Sequence, residues 1–405
     1  MKVTVSRTHC LDAMKAVAGL VYGKPAVGDK GDKKAPRKNV RLDVSADGLR
    51  IFGGEKEGFA IVSLPARKGE PFEAGSALAP PWKLIEILSA AKGDDIRLFL
   101  NWKEALSVTT RDGTFQIESG DVDLFPLQTP SDLPWVVSAY AAPLRLALQR
   151  TVFAADREES DAGQAAYDLV CFDIANELML CASDGGNLSI ARVPDAKRPE
   201  GRQPNLQLAI PRAAAADLLA LIPSELQQIE ISHSPGLACF AFRSHGMPIR
   251  FFTSLIQRRL PSYLKVVPPP TGPKWAIESA ALASAGNLTK AFDSGHGITV
   301  KVSSDTWRFE AEKAAVGNAW VEIAANGPDG RTDLLKLPPR LLAKVAEACA
   351  APSLEVMLGG PRDPLVFRCE CFTFVMSQMR AVENVPAVKV PEAKPKAAKP
   401  VAGAA

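Results

Sequence analysis

The sequence predicts an α+β protein of three repeated domains, each with two helices packed on an antiparallel sheet. Proline-introduced helices begin near Pro81, Pro211 and Pro338, which are 130 and 127 positions apart. That period suits a domain of average size and is far too long for a solenoid repeat. Each unit also shows the same order of helix, strands, helix, strands. Regular spacing and a constant order of elements therefore predict one fold repeated three times.

A helix opens each unit, because apolar residues recur there at i, i+3 and i+4 spacing and give one apolar face. The residues that form this face are Leu11, Met14, Val17 and Val21; then Leu144, Leu148 and Val152; then Leu282, Ala285, Leu288 and Phe292.

A hairpin-like pair of strands follows the first helix of each unit. In the first unit an alternating strand turns at Asp47-Gly48, and the second and third units turn near Asn176 and Ser304-Asp305. The strand segments are 40–44 with 49–51, 169–172 with 178–180, and 298–302 with 307–309.

The second helix begins at or near proline, whose missing N–H costs nothing in a first helical turn. A further pair of strands then closes each unit. Those pairs are 96–100 with 106–117, 229–231 with 238–255, and 354–358 with 365–376.

Proline- and serine-rich joints at 128–134 and 268–273 separate the units. We therefore expect domains at residues 1–128, 138–267 and 274–380. Residues 381–405 are rich in alanine, proline, valine and lysine and contain no aromatic residue. This composition predicts a disordered tail, since it cannot bury enough apolar surface to offset the entropy of ordering.

Composition argues for an ordinary globular protein: 405 residues, 47% hydrophobic and 23% charged, with a net charge of +3. No apolar run reaches the roughly 18 residues of a membrane span, and the N-terminus has no export signal. The seven cysteines contain no C-x-x-C pair, which predicts small buried side chains in a reducing cytoplasm. The four histidines are scattered, and no phosphate-binding glycine loop follows a strand, so catalysis, a metal and a cofactor are not expected.

Three motifs give the chain a family resemblance. They are FTSL at 252–255 with LPSYLKVVP at 260–268, ASDGGNL at 182–188, and VMSQMR at 375–380. In their order along the chain, these motifs resemble those of the bacterial DNA polymerase III beta subunit family, the beta sliding clamps, and the resemblance covers residues 1 to about 380. The resemblance implies clamp-type domains in a head-to-tail homodimer, closed into a ring whose helices line the central hole.

Such a ring encircles duplex DNA without reading bases and tethers the replicative polymerase, so the chain is expected to be a non-catalytic processivity factor. A polymerase, a clamp loader and other clamp-motif proteins are the implied partners. No membrane contact is expected, and the implied location is the cytoplasm, in association with the nucleoid.

The basic segment 24–41, with seven basic and two acidic residues, is the first candidate for DNA contact. A charge run is usually a solvated loop. The family resemblance favours DNA contact, because Lys24 stands between Gly23 and Pro25 as a family DNA-contacting arginine does. The residues expected to contact DNA are Lys24, Lys33, Lys34, Arg37 and Lys38, together with Arg150 and Arg212 on helices of the middle domain.

The resemblance also implies a pocket for short partner peptides, although core packing explains its apolar members equally well. Glycine and asparagine at 186–187 replace a family His-Arg pair, Ser377-Gln378 replaces a proline, and Lys265 replaces an arginine. A changed rim is expected to change which peptides bind. The implied pocket residues are Tyr167, Ser183, Gly185, Leu188, Pro261, Lys265, Val266, Val375, Met376, Met379 and Arg380.

The implied subunit contact pairs an edge strand of the first domain, which contains Phe115 and Ile117, with the third domain around Leu288. Phe115 could equally belong to the core of its own domain.

Two alternatives to the sliding clamp remain open from sequence. One is a diverged clamp-like adaptor, a paralogue or mobile-element copy, that keeps the ring and serves other partners. The other is a DNA-processing enzyme on the same scaffold, which would need a metal cluster that the sequence does not contain.

Overall fold

The computed structural model describes residues 1–21, 39–54, 57–101, 104–125, 133–156, 167–201, 205–225, 227–258, 263–360 and 363–379. These residues form three domains, each with two helices against antiparallel strands. The predicted α+β fold class is confirmed.

The first domain contains the predicted pair of helices. The first helix is capped by Ser6, whose hydroxyl accepts the N–H of His9, and the second helix begins at Pro81 as predicted. Its elements are β1 (Lys2–Ser6), α1 (Arg7–Ala18), β2 (Val40–Ser45), β3 (Gly48–Gly54), β4 (Gly58–Leu64), β5 (Gly75–Ala79), α2 (Pro81–Ala90), β6 (Asp95–Leu100), β7 (Ala105–Thr109) and β8 (Thr114–Glu118).

The middle domain repeats this order. Its elements are β9 (Trp135–Tyr140), α3 (Ala141–Val152), β10 (Leu169–Ile174), β11 (Leu178–Ser183), β12 (Asn187–Val193), β13 (Leu206–Pro211), α4 (Arg212–Leu221), β14 (Gln228–Ser234), β15 (Leu237–Ser244) and β16 (Met247–Ser254).

The third domain repeats it again. Its elements are β17 (Lys274–Glu278), α5 (Ser279–Thr289), β18 (Ile298–Val302), β19 (Thr306–Lys313), β20 (Gly317–Asn326), β21 (Asp333–Leu337), α6 (Pro339–Cys349), β22 (Ser353–Leu358), β23 (Leu365–Cys369) and β24 (Phe372–Met376).

The closing strands of each unit differ from the sequence prediction. The segments 106–117, 238–255 and 365–376 were each predicted as one strand, and each is a hairpin of two. Two of these hairpins turn through non-glycine residues with left-handed backbone, His245 (φ 50°) and Cys371 (φ 57°). Gly246 (φ 78°), which follows His245, is a turn signal that sequence reasoning overlooked, whereas Glu370 and Cys371 carry no such signal.

The strands join across the domain boundaries by one rule: the fourth strand of a domain pairs with the eighth strand of the next. β4 pairs antiparallel with β16, and β12 pairs antiparallel with β24. We call these pairings the first and second junctions.

The main core lies between the sheets and the helix pairs α1–α2, α3–α4 and α5–α6. Two smaller apolar clusters lie on the outer face of the sheets, one at each junction. The molecule therefore presents a helical face and a sheet face, and each junction has side chains on the sheet face that the main core does not use.

Candidate functional sites

The basic segment predicted to contact DNA cannot be placed. Lys24, Lys33, Lys34, Arg37 and Lys38 lie outside the described residues, between the end of α1 and the start of β2.

Arg150 was predicted to contact DNA, and that prediction is wrong because its side chain is buried. Its side chain is 5% exposed at the end of α3. The guanidinium donates to the backbone oxygens of Ala348 (3.0 Å), Cys349 (2.7 Å) and Glu370 (3.0 Å) in the third domain. Arg150 thus satisfies carbonyls at the C-terminus of α6, where a cation also complements the helix dipole, and it is not available to a phosphate.

Arg212 opens α4 and is half-buried. Its Nε donates to the backbone oxygen of Val152 at 3.2 Å, which ties the start of α4 to the end of α3.

The helices carry an excess of basic residues, of which only Arg150 and Arg212 were predicted from sequence as DNA contacts. The six helices contain eight basic and four acidic residues. Apart from the buried Arg150, several of these basic side chains are exposed or half-exposed, and Lys83 forms a 2.8 Å ion pair with Glu86. They are Lys15, Lys83, Arg145, Arg212, Arg340 and Lys344. Without Arg150, and without Arg7, whose guanidinium donates to the carbonyls of Leu88 and Gly93, six basic residues remain against four acidic ones. A modest excess of this sign suits contact with phosphates.

The second junction brings several predicted pocket residues together on the sheet face. Leu188 of β12 stands opposite Val375 of β24, and both belong to an apolar cluster that we call the second-junction cluster. Tyr263 covers this cluster, and its hydroxyl donates to Asp173 at 2.7 Å. Burial, with this hydrogen bond, raises the pKa of the Tyr263 phenol, so it stays a donor at neutral pH. The cluster consists of Leu169, Cys171, Cys181, Leu188, Ile190, Ala209, Tyr263, Met357, Val366 and Val375.

A tight turn forms the rim beside this cluster. The Asp184 carboxylate accepts the backbone N–H groups of Gly186 (3.0 Å) and Asn187 (2.7 Å) and the Asn187 side-chain amide (2.8 Å). Ser183 accepts the N–H of Gly185 at 3.1 Å, and the Ser377 hydroxyl donates to the carbonyl of Gly186. The turn thus satisfies many of its own polar groups.

Gly185 is required in that turn. Its φ is +88°, and a Cβ there would meet the ring of Tyr167 at 3.2 Å. Tyr167 therefore lies directly against the turn, which brings two predicted pocket residues into contact.

Met376 was predicted to line the pocket, and that prediction is wrong. It is one position from Val375, so strand alternation turns its side chain to the opposite face, where it is fully buried in the main core.

The remaining pocket residues lie elsewhere or cannot be placed. Met379 donates its N–H to the carbonyl of Lys336 at 2.9 Å, and its sulfur lies against Gly297 in the third domain. Lys265 and Val266 follow Tyr263 and are exposed. Pro261 and Arg380 lie outside the described residues.

The predicted subunit-contact residues lie at strand edges and on a helix. β8 is the edge strand of its sheet, with Phe115 40% exposed and Ile117 half-buried against the core. Leu288 on α5 is 57% exposed. The sequence analysis missed Trp320 on β20, which is 61% exposed with the Arg308 guanidinium 4.6 Å from its ring centre.

In the described part of the chain, no three histidine, cysteine, aspartate or glutamate side chains form a group suited to a metal ion. In that same part, no helix has the length and apolar character that crossing a membrane requires.

Comparison with known proteins gives one consistent result. No protein-family model matches the chain. Beta sliding clamps of Staphylococcus aureus and Staphylococcus epidermidis are 18% and 19% identical over 337 and 340 residues, which is 81% of this chain and 87% of each relative.

Solved structures extend the likeness to the fold. The DNA polymerase III beta subunit of Pseudomonas aeruginosa superposes with a TM-score of 0.81 at 19% identity, and that of Thermotoga maritima with 0.77 at 15%. Both superpositions cover 94% of this chain and 99% or more of the other. A sliding clamp of Bartonella birtlesii bound to griselimycin has a TM-score of 0.79 at 19% identity.

Proposed function

We propose that this chain, a divergent relative of the bacterial beta sliding clamps, is itself a DNA sliding clamp: a non-catalytic ring that encircles duplex DNA and tethers a DNA polymerase. The observation that carries the proposal is the pairing rule at the junctions. The fourth strands of the first and middle domains, β4 and β12, each pair with the eighth strand of the next domain. One fourth strand and one eighth strand remain without such a pairing in the described residues.

The leftover strands are β20, the fourth strand of the third domain, and β8, the eighth strand of the first domain. In the described residues, β20 pairs with β19 and, only at Ala325 and Asn326, with β17, while β8 pairs only with β7. An unpaired edge is a template for another strand. β20 of one subunit pairing with β8 of a second would repeat the rule a third time, and a head-to-tail dimer that does so twice closes a ring of six domains.

Apolar side chains at these edges support the same pairing. Phe115 and Ile117 share the inner face of β8, and Ile117 packs against the main core. Val321 and Ile323 share the inner face of β20, beside α5, which carries the exposed Leu288. Pairing the edges would bring these residues together and cover exposed apolar surface.

The basic excess on the helices supports contact with DNA through its phosphates. Such contact is independent of DNA sequence, and it weakens as the salt concentration rises because binding releases counterions from the DNA. The predicted basic segment at residues 24–41 would add to it. We therefore propose a helix-lined hole that holds DNA by enclosure, with domains at 1–128, 138–267 and 274–380, in a protein of the cytoplasm and nucleoid.

The second-junction cluster and its rim are the proposed site for polymerase, clamp loader and other clamp-motif proteins. Leu188 and Val375 give it an apolar floor, and the turn at 183–187 gives it a polar edge. The same turn supports the second candidate function, a clamp-like adaptor with a changed partner set, because Gly186 and Asn187 offer neither an imidazole nor a guanidinium to a partner.

Ring closure is the first test. Light scattering after size exclusion should give twice the chain mass of 43.3 kDa. A monomer at micromolar concentration would contradict the ring.

Retention on DNA is the second test. Protein placed on nicked circular DNA by the host clamp loader should stay bound in high salt and be lost when the circle is linearised. Equal loss from circular and linear DNA would indicate ordinary electrostatic binding. If the protein stays on circular DNA but does not bind the host polymerase, the adaptor function is favoured.

A further inference from the structure

Two cysteines meet beside Arg150 at the second junction. Cys349 is the last residue of α6 and is 1% exposed, while Cys369 is the last residue of β23 and is half-exposed. The Cys369 thiol donates to the Cys349 carbonyl at 3.2 Å and is also within hydrogen-bonding reach of the Cys349 thiol. The two sulfurs therefore belong to one site.

The two thiols differ in acidity. The hydrogen bond from Cys369 is the largest cause that lowers the pKa of Cys349, to about 7, and burial opposes it. The Ser279 hydroxyl, the N–H of Ala351 and the charge of Arg150 lower this pKa further, in that order. The pKa of Cys369 is raised, first by its hydrogen bond to Cys349 and then by burial. The hydrogen bond from the Cys369 thiol thus favours the thiolate form of Cys349, and the Arg150 guanidinium lies 3.9 Å from the Cys369 sulfur.

A second cysteine pair in the same molecule lacks this arrangement. Cys171 and Cys181 stand opposite each other on β10 and β11, within the apolar second-junction cluster. The hydrogen bond with Cys171 and burial raise the pKa of Cys181 well above its usual value. Proximity is common to both pairs, whereas a lowered thiol pKa, with a small contribution from the charge of Arg150, is found at Cys349.

We propose that Cys349 and Cys369 form a redox-active dithiol that hydrogen peroxide converts to a disulfide. Burial of Cys349 selects a small, neutral oxidant, and the half-exposed Cys369 marks the side from which it enters.

The reaction balances in two steps. The Cys349 thiolate attacks one peroxide oxygen, the O–O bond breaks, and hydroxide leaves and is protonated to water. The sulfenic acid on Cys349 is then attacked by the Cys369 sulfur. The S–S bond forms as the S–O bond breaks, and the Cys369 proton leaves with that oxygen as a second water. Each sulfur loses one electron, and the peroxide gains two.

The disulfide would join the end of α6 to the end of β23 around the carbonyls that Arg150 holds. It would close a loop within the third domain, which restricts the unfolded chain and raises thermal stability. Because Arg150 of the middle domain binds the Cys349 carbonyl, oxidation of the pair would change the stability of the second junction. This inference does not depend on the protein being a clamp.

The test uses the reduced full-length protein. It is treated with hydrogen peroxide, free thiols are alkylated, and peptides are mapped by mass spectrometry. We expect a peptide pair linked through Cys349 and Cys369, lighter by two hydrogens and restored by dithiothreitol, with a higher melting temperature for the oxidised protein. Glutathione disulfide at the same concentration should give far less.

Two single-residue variants distinguish the roles of the individual cysteines. Cys369→Ser should leave a sulfenic acid on Cys349 that dimedone traps, while Cys171→Ser, the matched control, should leave the Cys349–Cys369 link unchanged. The proposal is overturned if peroxide-treated wild-type protein shows Cys349 and Cys369 fully alkylated, or links Cys171 to Cys181 as fast. Because the mapping is done on wild-type protein, the result does not depend on any variant folding.

Discussion

The first and second junctions have the same strand pairing but different side-chain chemistry. At the first junction an aromatic cluster covers the sheet face: Phe59 and Phe252 stack at 4.9 Å between ring centres, and Arg250 lies 4.9 Å from the Phe252 ring. At the second, the sheet face carries aliphatic and sulfur side chains covered by Tyr263 as the one aromatic member of the cluster, and the buried Arg150 joins the helix ends. The two junctions therefore share one backbone pairing and differ in the side chains that pack on it.

Removing the aromatic contact should have the largest effect. Phe252→Ala deletes a fully buried ring and leaves a cavity at the first junction, which should lower the free energy of unfolding by about 4 kcal/mol. Urea denaturation and calorimetry would each measure this change in the free energy of unfolding. Phe72→Ala is the control, because Phe72 is 46% exposed and its loss should cost under about 0.5 kcal/mol. Equal effects would mean that the first junction is held by backbone pairing alone.

Removing the buried cation should come next. Arg150→Ala leaves three backbone carbonyls without their donor, which should cost about 3 kcal/mol. Differential scanning calorimetry should show a lower transition temperature, and Arg150→Lys should recover little because an ammonium lacks the planar fork. Arg145→Ala, on the same helix but half-exposed, is the control. An unchanged transition temperature for Arg150→Ala would contradict the prediction that its hydrogen bonds stabilise the second junction.

The proposed third junction, between subunits, should respond to a smaller apolar change. Phe115→Ala removes one exposed ring from the β8 edge, which should weaken dimerisation by about 1 to 2 kcal/mol, roughly tenfold in dissociation constant. Analytical ultracentrifugation over a concentration series would measure the shift. Phe99→Ala tests specificity, since Phe99 is similarly exposed but lies on β6, away from the free edge. If Phe99→Ala weakens the dimer as much as Phe115→Ala, the β8 edge is not the contact.

The rim of the second junction should give the smallest effect. Gly186→His with Asn187→Arg supplies the missing imidazole and guanidinium, and should strengthen binding of a glutamine-and-leucine clamp peptide by about 1 kcal/mol, roughly fivefold. Gly186 has room for the change, since the nearest atom to an added Cβ is an Asp184 oxygen at 3.7 Å. Fluorescence anisotropy would measure the affinity. Leu188→Ala in the double variant should remove the gain; if it does not, the peptide binds elsewhere.

Much of the fold could be predicted from sequence, because hydrophobic periodicity and proline placement act locally. The helices at Pro81, Arg212 and Pro339 begin within one residue of the positions that the prolines indicated. The repeat period and the quoted motifs likewise led to the clamp fold. The hairpin that turns at His245 was missed although Gly246 marks its turn, and the one at Cys371 was missed because Glu370 and Cys371 carry no turn signal.

Side-chain destinations depended on the tertiary structure. Val375 and Met376 are neighbours of similar hydrophobicity, and only the register of β24 against β12 sends one to the sheet face and the other to the core. From sequence, Arg150 could be interpreted only as a charge on a helix, because the carbonyls that accept its hydrogen bonds lie about 200 positions away in the chain. The sequence by itself determined the repeated unit, since each unit is made by contacts between near neighbours. The two junctions and the placement of Arg150 were decided only when distant units packed together, because a contact between units leaves no periodic trace in either one. The Cys349–Cys369 pair depends on packing within the third domain, where the end of α6 meets the end of β23.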